Sequence, residues 1–293
     1  MQTNIFDLKV EDDPDEISLL KFKGLDHYLK PTNIPENKKA FSIGFVDTET
    51  TSLDTDECEI IEFAMIVVKV NAQGDIYHVS DKICQQEQPS APLDPVIKRK
   101  TGLTDEALKG KKINWEEINS IAQDCHIFSA FNAQFDRPIC ERYSDVFKSK
   151  PWACALKDIE WDELYNTVGK LEWLLMKTKM LYFKAHTALA DTEALVHLVN
   201  QKDPVHSINL IKHLMNRAST SDTLIRSVGA PFEIKDDLKK IGYRWDDGSN
   251  GKRKAWFKAV KPENLDEEIA IIKGMGCPDP TTEQLSPIQR YSK

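Results

Sequence analysis

Several features are scarce in this 293-residue sequence, and each absence disfavours a class of protein. No apolar run approaches the roughly 20 residues that cross a bilayer, and no charged segment followed by an apolar stretch opens the chain. The six cysteines are scattered without a Cys-x-x-Cys pair, which disfavours a zinc site and a disulfide framework. We therefore expect a soluble, unsecreted, cytoplasmic chain with reduced and mostly buried thiols.

An excess of positive charge is also missing. The net charge is -8 at pH 7, which argues against a broad basic surface for nucleic acid. It does not exclude a nuclease, because a metal-dependent active site is itself acidic until its cations bind. The hydrophobic content of 41% and the charged content of 29% are ordinary for a globular protein, and the length allows one large and one small domain.

The most informative stretch is an apolar run that begins at Phe41 and ends in two acids. A run of this kind predicts a buried strand, and side chains alternate along a strand, so Asp47 and Glu49 share one face. Neighbouring carboxylates repel each other and are costly to desolvate, and a divalent cation such as Mg²⁺ or Mn²⁺ relieves both effects. Taken alone, the two acids are explained equally well by a solvated strand end.

Further apolar runs complete an α/β pattern. Residues 59–70 and 76–85 predict an antiparallel pair of strands joined by a hairpin loop. Residues 126–132 predict a fourth strand that runs directly into a helix beginning near Ala133, and residues 152–156 predict a short fifth strand. The expected fold class is α/β, with a mixed five-stranded sheet flanked by helices.

Two more acids fall at the ends of such elements. Asp136 follows the fourth strand, where open α/β sheets usually place ligands, although a lone acid there more often stabilises the helix dipole. Asp191 lies on the apolar face of a helix predicted over residues 186–199, and a buried acid needs a partner. His186 can reach the same cleft as a candidate general base, although a lone histidine is more often structural. Four carboxylates can hold two Mg²⁺ or Mn²⁺ ions about 3.5–4 Å apart for displacement at phosphorus.

These residues resemble the motifs of the DEDD superfamily of 3′→5′ exonucleases. Residues 47–51 resemble the first motif and residues 131–136 the second, while residues 101–104 are similar to a segment usual between them. Residues 186–191 resemble the third motif of the histidine-bearing (DEDDh) subclass, which includes the proofreading exonuclease subunit of bacterial replicative DNA polymerase. The resemblance covers about residues 40–200.

The resemblance implies an RNase H-like fold and metal-dependent hydrolysis from the 3′ end of DNA, which releases nucleoside monophosphates. It implies two divalent cations, Mg²⁺ or Mn²⁺, a nucleic-acid partner with a single-stranded or 3′-ended DNA strand, and a polymerase or other DNA-processing protein as a second partner. Ser52 stands where glycine is common, which leaves substrate preference open. The implied roles are general base for His186, metal ligand for Asp47, Glu49, Asp136 and Asp191, and substrate contact for Thr50, Thr51, Leu53 and Asn132.

The rest of the chain is expected to flank an exonuclease domain over residues 40–220. Residues 1–39 form an N-terminal extension, and residues 221–293 form a small α+β module whose tail, from Pro278, looks flexible. The module places several lysines and arginines among aromatic residues, a combination that suits single-stranded nucleic acid. The same aromatic residues can instead form the core of a very small domain; they are Tyr243, Trp245, Trp256 and Phe257.

Two other functions stay open from the sequence. An RNA exonuclease of the same fold differs through contacts to the 2′-hydroxyl group, for which the sequence has no distinguishing feature. A polymerase-associated nucleic-acid-binding module, with secondary catalysis, is the alternative from another class. The complete set of five catalytic positions argues against this binding module.

Overall fold

The structure, a computed structural model, describes residues 17–249 and 251–292. The described chain divides into two compact units. The first contains the described residues up to Ala218 together with Tyr291 and Ser292, and the second contains Ser219–Arg290. The first 16 residues of the expected N-terminal extension, including its acidic cluster, lie outside the described residues.

The first unit contains both strands and helices. Its strands are β1 Leu20–Lys21, β2 Phe41–Thr50, β3 Ile60–Val70, β4 Ile76–Gln86, β5 Ile127–Ala130, β6 Trp152–Cys154 and β7 Leu181–Tyr182. Its helices are α1 Leu25–Tyr28, α2 Pro95–Thr101, α3 Asp105–Leu108, α4 Trp115–Gln123, α5 Ala133–Tyr143, α6 Val146–Ser149, α7 Ala155–Asp158, α8 Trp161–Tyr165, α9 Leu171–Lys179, α10 Ala188–Val199 and α11 Leu210–Ser219.

A mixed five-stranded sheet in the order β4-β3-β2-β5-β6 forms the centre of this unit. Strand β2 pairs antiparallel with β3 and parallel with β5, so the sheet has the mixed character predicted from the sequence. The outer pairs are β3 with β4, antiparallel, and β5 with β6, parallel. This mixed five-stranded sheet flanked by helices confirms the predicted α/β fold class.

Apolar cores lie on both faces of the sheet, and strand β2 contributes to each. Ile43 and Phe45 pack into the core that also contains buried residues of α9 and α10, such as Leu174 and Leu195. Val46, on the opposite face, packs into the core that contains residues of α4 and α5. Because alternate residues of β2 point to opposite faces, its odd-numbered residues face α10 and its even-numbered residues face α5.

The described part of the N-terminal extension is built into the first unit. Strand β1 pairs parallel with β7, with Leu20 opposite Leu181 and Lys21 opposite Tyr182. Phe22 is buried in the α10 core, as is Leu25 of α1. Among the described residues, no helix has the length and apolar character needed to cross a bilayer. All six cysteines are free thiols, and all except Cys84 are buried.

The second unit is a four-stranded antiparallel sheet in the order β11-β8-β10-β9. Its chain order, strand-helix-strand-strand-helix-strand, is the split βαβ arrangement. A small core on one face contains Ile225, Tyr243, Trp256 and Ile272. Its elements are β8 Asp222–Val228, α12 Lys235–Lys240, β9 Arg244–Asp246, β10 Ala255–Val260, α13 Leu265–Gly274 and β11 Thr281–Leu285.

The prediction of a flexible tail from Pro278 is wrong. Residues Thr281–Leu285 form β11, which pairs antiparallel with β8 along its whole length. Arg290 is buried and donates from Nε to the carboxylate of Asp222 at 2.7 Å. Strand β11 is a mostly exposed edge strand held by backbone hydrogen bonds, so it lacks the apolar alternation by which strands are identified.

Candidate active site

Three carboxylates from two elements meet at the end of strand β2. Asp47 and Glu49 lie on the face of β2 that meets α10, and Asp191 lies in the first turn of α10. Ligand oxygens of the three residues all lie within 4.8 Å of one another. This is the geometry expected of a site for a hard divalent cation, which binds oxygen ligands.

Asp136 reaches the same region from α5. It is 4% exposed, and its Oδ1 accepts hydrogen bonds from the Thr48 amide at 3.1 Å and the Thr48 hydroxyl at 2.9 Å. Thr48, the residue between the two strand acids, points to the α5 face of β2, so its hydroxyl can reach Asp136 on α5. With Oδ1 held in this way, Oδ2 is the oxygen available to a cation.

Asp191 is held in a similar manner by the chain that leads into its helix. Its Oδ2 accepts the backbone N–H of His186 at 2.7 Å and that of Thr187 at 3.1 Å. His186 has a φ of 73°, a left-handed conformation that costs a non-glycine residue on the order of 1–3 kcal/mol and that often marks functional sites. The half-buried His186 side chain therefore sits on a backbone that is fixed to a site carboxylate.

Glu62 is a site residue that the sequence analysis missed. It lies directly opposite Glu49 in the β2–β3 register and is 5% exposed. Its Oε2 accepts the backbone N–H of Ala188 at 2.7 Å, so it caps the first turn of α10, and its Oε1 accepts the Gln86 side-chain amide at 2.6 Å. An acid within an otherwise apolar strand, aligned with Glu49 across a hairpin, was the available signal.

Burial and mutual repulsion raise the pKa of every predicted metal ligand. Burial, then Asp191 and Glu62, raises the pKa of Glu49 to about 8, and Lys100 only partly offsets this. Burial raises the pKa of Asp136 to about 7 against the opposing Thr48 hydrogen bonds. Asp191 likewise has a pKa of about 7, and burial followed by Asp136 holds that of Asp47 well above its usual range. A bound cation would favour the ionised forms, so the donor set fits a divalent metal.

The segment after β2 folds into a turn that uses its own hydroxyl groups. The Thr50 hydroxyl donates to the Ser52 carbonyl at 2.6 Å, and the Thr51 hydroxyl accepts the Glu59 amide at 2.9 Å. Leu53 follows on this turn and is 77% exposed. A large apolar side chain so exposed is available for contact with a ligand.

Asn132 lies immediately before α5 and lines a cavity of about 360 Å³. The Lys157 ammonium donates to the Gln134 side-chain carbonyl at the edge of this cavity. Because α5 also carries Asp136, the cavity and the carboxylates share one helix. The lining residues are Thr55, Asn132, Gln134, Phe135, Leu156 and Lys157.

The fold and the acidic cluster together define an RNase H-like nuclease. The Exonuclease family model matches residues 45–199, more than half of the chain, and the chain belongs to this family. It is therefore a nuclease of the hydrolase class. No curated protein sequence matches the chain.

Solved structures with a similar fold share little sequence identity with this chain. The zinc-bound complex of exonuclease I from E. coli with single-stranded DNA is 14% identical, with a TM-score of 0.51; the match covers 85% of this chain and 66% of that chain. A complex of the same E. coli enzyme with a 5cy-dT13 oligonucleotide is 13% identical over 82% of this chain and 68% of that chain, with a TM-score of 0.50. Exonuclease X in complex with 5′-overhanging duplex DNA is 19% identical over 58% and 99% of the respective chains, with a TM-score of 0.40.

Proposed function

We propose that this chain is a 3′→5′ exonuclease that removes nucleoside monophosphates from the 3′ end of DNA. The observation that carries the proposal is the group formed by Asp47, Glu49 and Asp191 within 4.8 Å, in a chain of the exonuclease family. The complexes of E. coli exonuclease I with single-stranded DNA support an unpaired strand as substrate. A polymerase or other DNA-processing partner, and a place in the DEDDh subclass, rest on the motif resemblance alone.

In this proposal Asp47, Glu49, Asp136 and Asp191 hold two Mg²⁺ or Mn²⁺ ions. Bound cations would supply an acidified water molecule and stabilise the leaving 3′-oxygen. Thr48 and the chain before α10 orient Asp136 and Asp191 by holding one oxygen of each carboxylate.

His186 is the proposed general base. Its fixed backbone beside Asp191 supports this role, because a base must be held within reach of the proton it removes. We expect His186→Ala to lower kcat roughly 10²- to 10⁴-fold, the usual contribution of general base catalysis. The variant should still bind Mn²⁺, because its ring is not a proposed ligand; loss of metal binding together with activity would point to a structural role instead.

The substrate end is proposed to lie against the turn after β2 and against Asn132. The hydroxyl groups of Thr50 and Thr51 form hydrogen bonds within the turn. The backbone around these two residues would therefore contact the terminal nucleotide. The exposed Leu53 would press against the terminal base, and Asn132 would contact the strand from its cavity.

The decisive experiment is cleavage of 5′-labelled single-stranded DNA, duplex DNA and single-stranded RNA with Mg²⁺, Mn²⁺ or a chelator. We expect a metal-dependent ladder that shortens from the 3′ end of DNA, absent in Asp136→Ala and retained in Asp162→Asn, which changes an exposed acid on α8. Preferential cleavage of RNA would show that RNA, rather than DNA, is the substrate. Cleavage by Asp136→Ala at the parental rate would refute the assigned site.

The second unit is a candidate accessory surface for nucleic acid. Trp245 is 51% exposed on β9, and the Arg244 guanidinium lies 5.1 Å from the Phe257 ring centre, an arrangement that suits stacked bases. Tyr243 and Trp256 belong to the core, as the structural alternative for these aromatic residues predicts. Trp245→Ala should weaken binding of a single-stranded oligonucleotide. If the variant binds as tightly as the parent at every salt concentration, the second unit does not have this role.

A further inference from the structure

A second concave surface of the first unit lies beside helix α9. We call it the aromatic groove. It has a volume of about 260 Å³, below the roughly 300–1,000 Å³ typical of pockets for drug-sized ligands, so it suits a single planar group. Its lining residues are Lys170, Glu172, Trp173, Met176, Tyr182 and Phe183.

Trp173 forms one wall of the aromatic groove and is held in place although it is 44% exposed. Its Nε1–H donates to the Thr167 hydroxyl at 2.8 Å. A Cβ atom at Gly169 would lie 2.6 Å from Cδ1 of this ring, so the ring lies against backbone that only glycine leaves open. A ring that is already oriented loses little conformational entropy when a ligand stacks on it.

Two further lining residues, Tyr182 and Phe183, contact the described part of the N-terminal extension. Tyr182 is 48% exposed and lies on β7, where it pairs with Lys21 of β1. Phe183 meets the buried Phe22 edge to face, with ring centres 6.5 Å apart. Lining residues on α9 and on the segment of β7 are therefore held by contacts that exist before any ligand binds.

The aromatic groove is close to the carboxylate site along the chain. Phe183 is three residues from His186, and three extended residues span at most about 10 Å. The aromatic groove therefore lies close enough to the carboxylates to be reached by a neighbouring nucleotide of a strand whose 3′ end lies there.

We propose that the aromatic groove stacks an unpaired nucleobase of the strand whose 3′ end lies at the carboxylate site. This proposal rests on the proposed function and names an additional substrate contact. Exposed aromatic faces stack with any base, and the exposed Lys170 can meet a neighbouring phosphate. Glu172 places a negative charge in the lining, which disfavours a phosphate inside the aromatic groove and leaves the base as the group that enters.

The test measures binding rather than cleavage. Full-length chains that all carry Asp136→Ala, so that the substrate survives, are titrated into 5′-labelled single-stranded DNA and followed by fluorescence anisotropy. The oligonucleotides carry one abasic site at successive positions from the 3′ end. Trp173→Ala is expected to weaken binding of the intact strand roughly 5- to 150-fold, the range for loss of one base–aromatic stack, and Trp173→Phe to retain most of the affinity.

The abasic series forms a double-mutant cycle between protein and DNA. If the aromatic groove stacks one base, Trp173→Ala will have no further effect when that base is missing and its full effect when a distant base is missing. The proposal would be overturned if Trp173→Ala bound the intact strand as tightly as the parent chain. It would also be overturned if Trp173→Ala lowered the affinity by the same factor for every position of the abasic site. If the double-mutant cycle shows stacking but the parent chain cleaves no substrate, the role of the aromatic groove is supported and the exonuclease activity is refuted. The two failures are therefore distinguishable.

Discussion

Buried acids have opposite electrostatic surroundings in strand β2 of the first unit and in the sheet of the second unit. In the second unit Asp246 is paired with Arg226 at 2.8 Å, and Glu268 with Lys258 at 2.7 Å. In the first unit Asp47 and Glu49 face other carboxylates, and among the described residues no lysine or arginine forms an ion pair with either.

This difference separates acids that belong to the fold from acids that belong to a site. A buried charge must be compensated, and in the second unit the chain supplies the opposite charge itself. At the end of β2 the chain supplies more carboxylates and raises their pKa values instead. The missing positive charge must then come from protons or from a cation in solution, and the proposed function requires the cation.

The largest expected effect comes from removing an uncompensated acid. Asp47→Asn should lower the rate of 3′-end cleavage roughly 10⁴-fold, because it removes both a charge and an oxygen ligand from the cluster. Without metal, the same change should not destabilise the fold, because it relieves repulsion among buried carboxylates. A steady-state cleavage assay measures the loss of activity, and a thermal scan in chelator measures the stability without metal. A strongly lowered Tm of Asp47→Asn would contradict the conclusion that Asp47 is an uncompensated acid.

A smaller effect of opposite character is expected where the acid is paired. Asp246→Asn leaves Arg226 without its charge partner in a mostly buried position, which should destabilise the second unit by about 3–5 kcal/mol. Denaturant unfolding measures this change. Asp236→Asn is the matched control, because its ion pair with Lys239 is exposed and should contribute at most about 1 kcal/mol. Equal losses in the two variants would remove the distinction.

A third expected effect is a dependence of metal-free stability on pH. Glu49 has a pKa of about 8 in the folded chain against 4.5 for a free side chain, and Asp191 has about 7 against 3.8. Between about pH 4 and 8 the folded state thus holds protons that the unfolded chain has released, so the free energy of unfolding should fall as pH rises. Denaturant unfolding in chelator measures the slope, which Glu49→Gln or Mg²⁺ should reduce. A stability that rises through this window would show that these carboxylates are not crowded.

The elements buried on both faces were the ones that the sequence predicted well. Strands β2 and β3 are continuous apolar runs because cores cover both sides of the sheet, and alternation along β2 was enough to put Asp47 and Glu49 on one face. The spacing of apolar residues along α10 was enough to put Asp191 on the buried face of that helix. Strand β11 was missed because an edge strand is stabilised by backbone hydrogen bonds that leave little trace in side-chain pattern.

Features that depend on distant segments could not be predicted. The role of Glu62 requires the β2–β3 register and the position of α10 together, because it lies opposite Glu49 and caps Ala188. The aromatic groove requires the pairing of β1 with β7, which brings residues about 160 positions apart into contact. Local pattern marks Glu62 as an acid within an apolar strand, but it shows neither its contact with α10 nor the pairing of β1 with β7.

The most direct test of the central claim is a calorimetric titration of the full-length chain with Mn²⁺. The cluster of Asp47, Glu49 and Asp191 predicts binding by the parent, loss of binding in Asp47→Asn, and unchanged binding in the exposed-acid control Asp162→Asn. If the parent binds no Mn²⁺, or if Asp47→Asn binds it as well as the parent, then the uncompensated acids at the end of β2 are not a metal site.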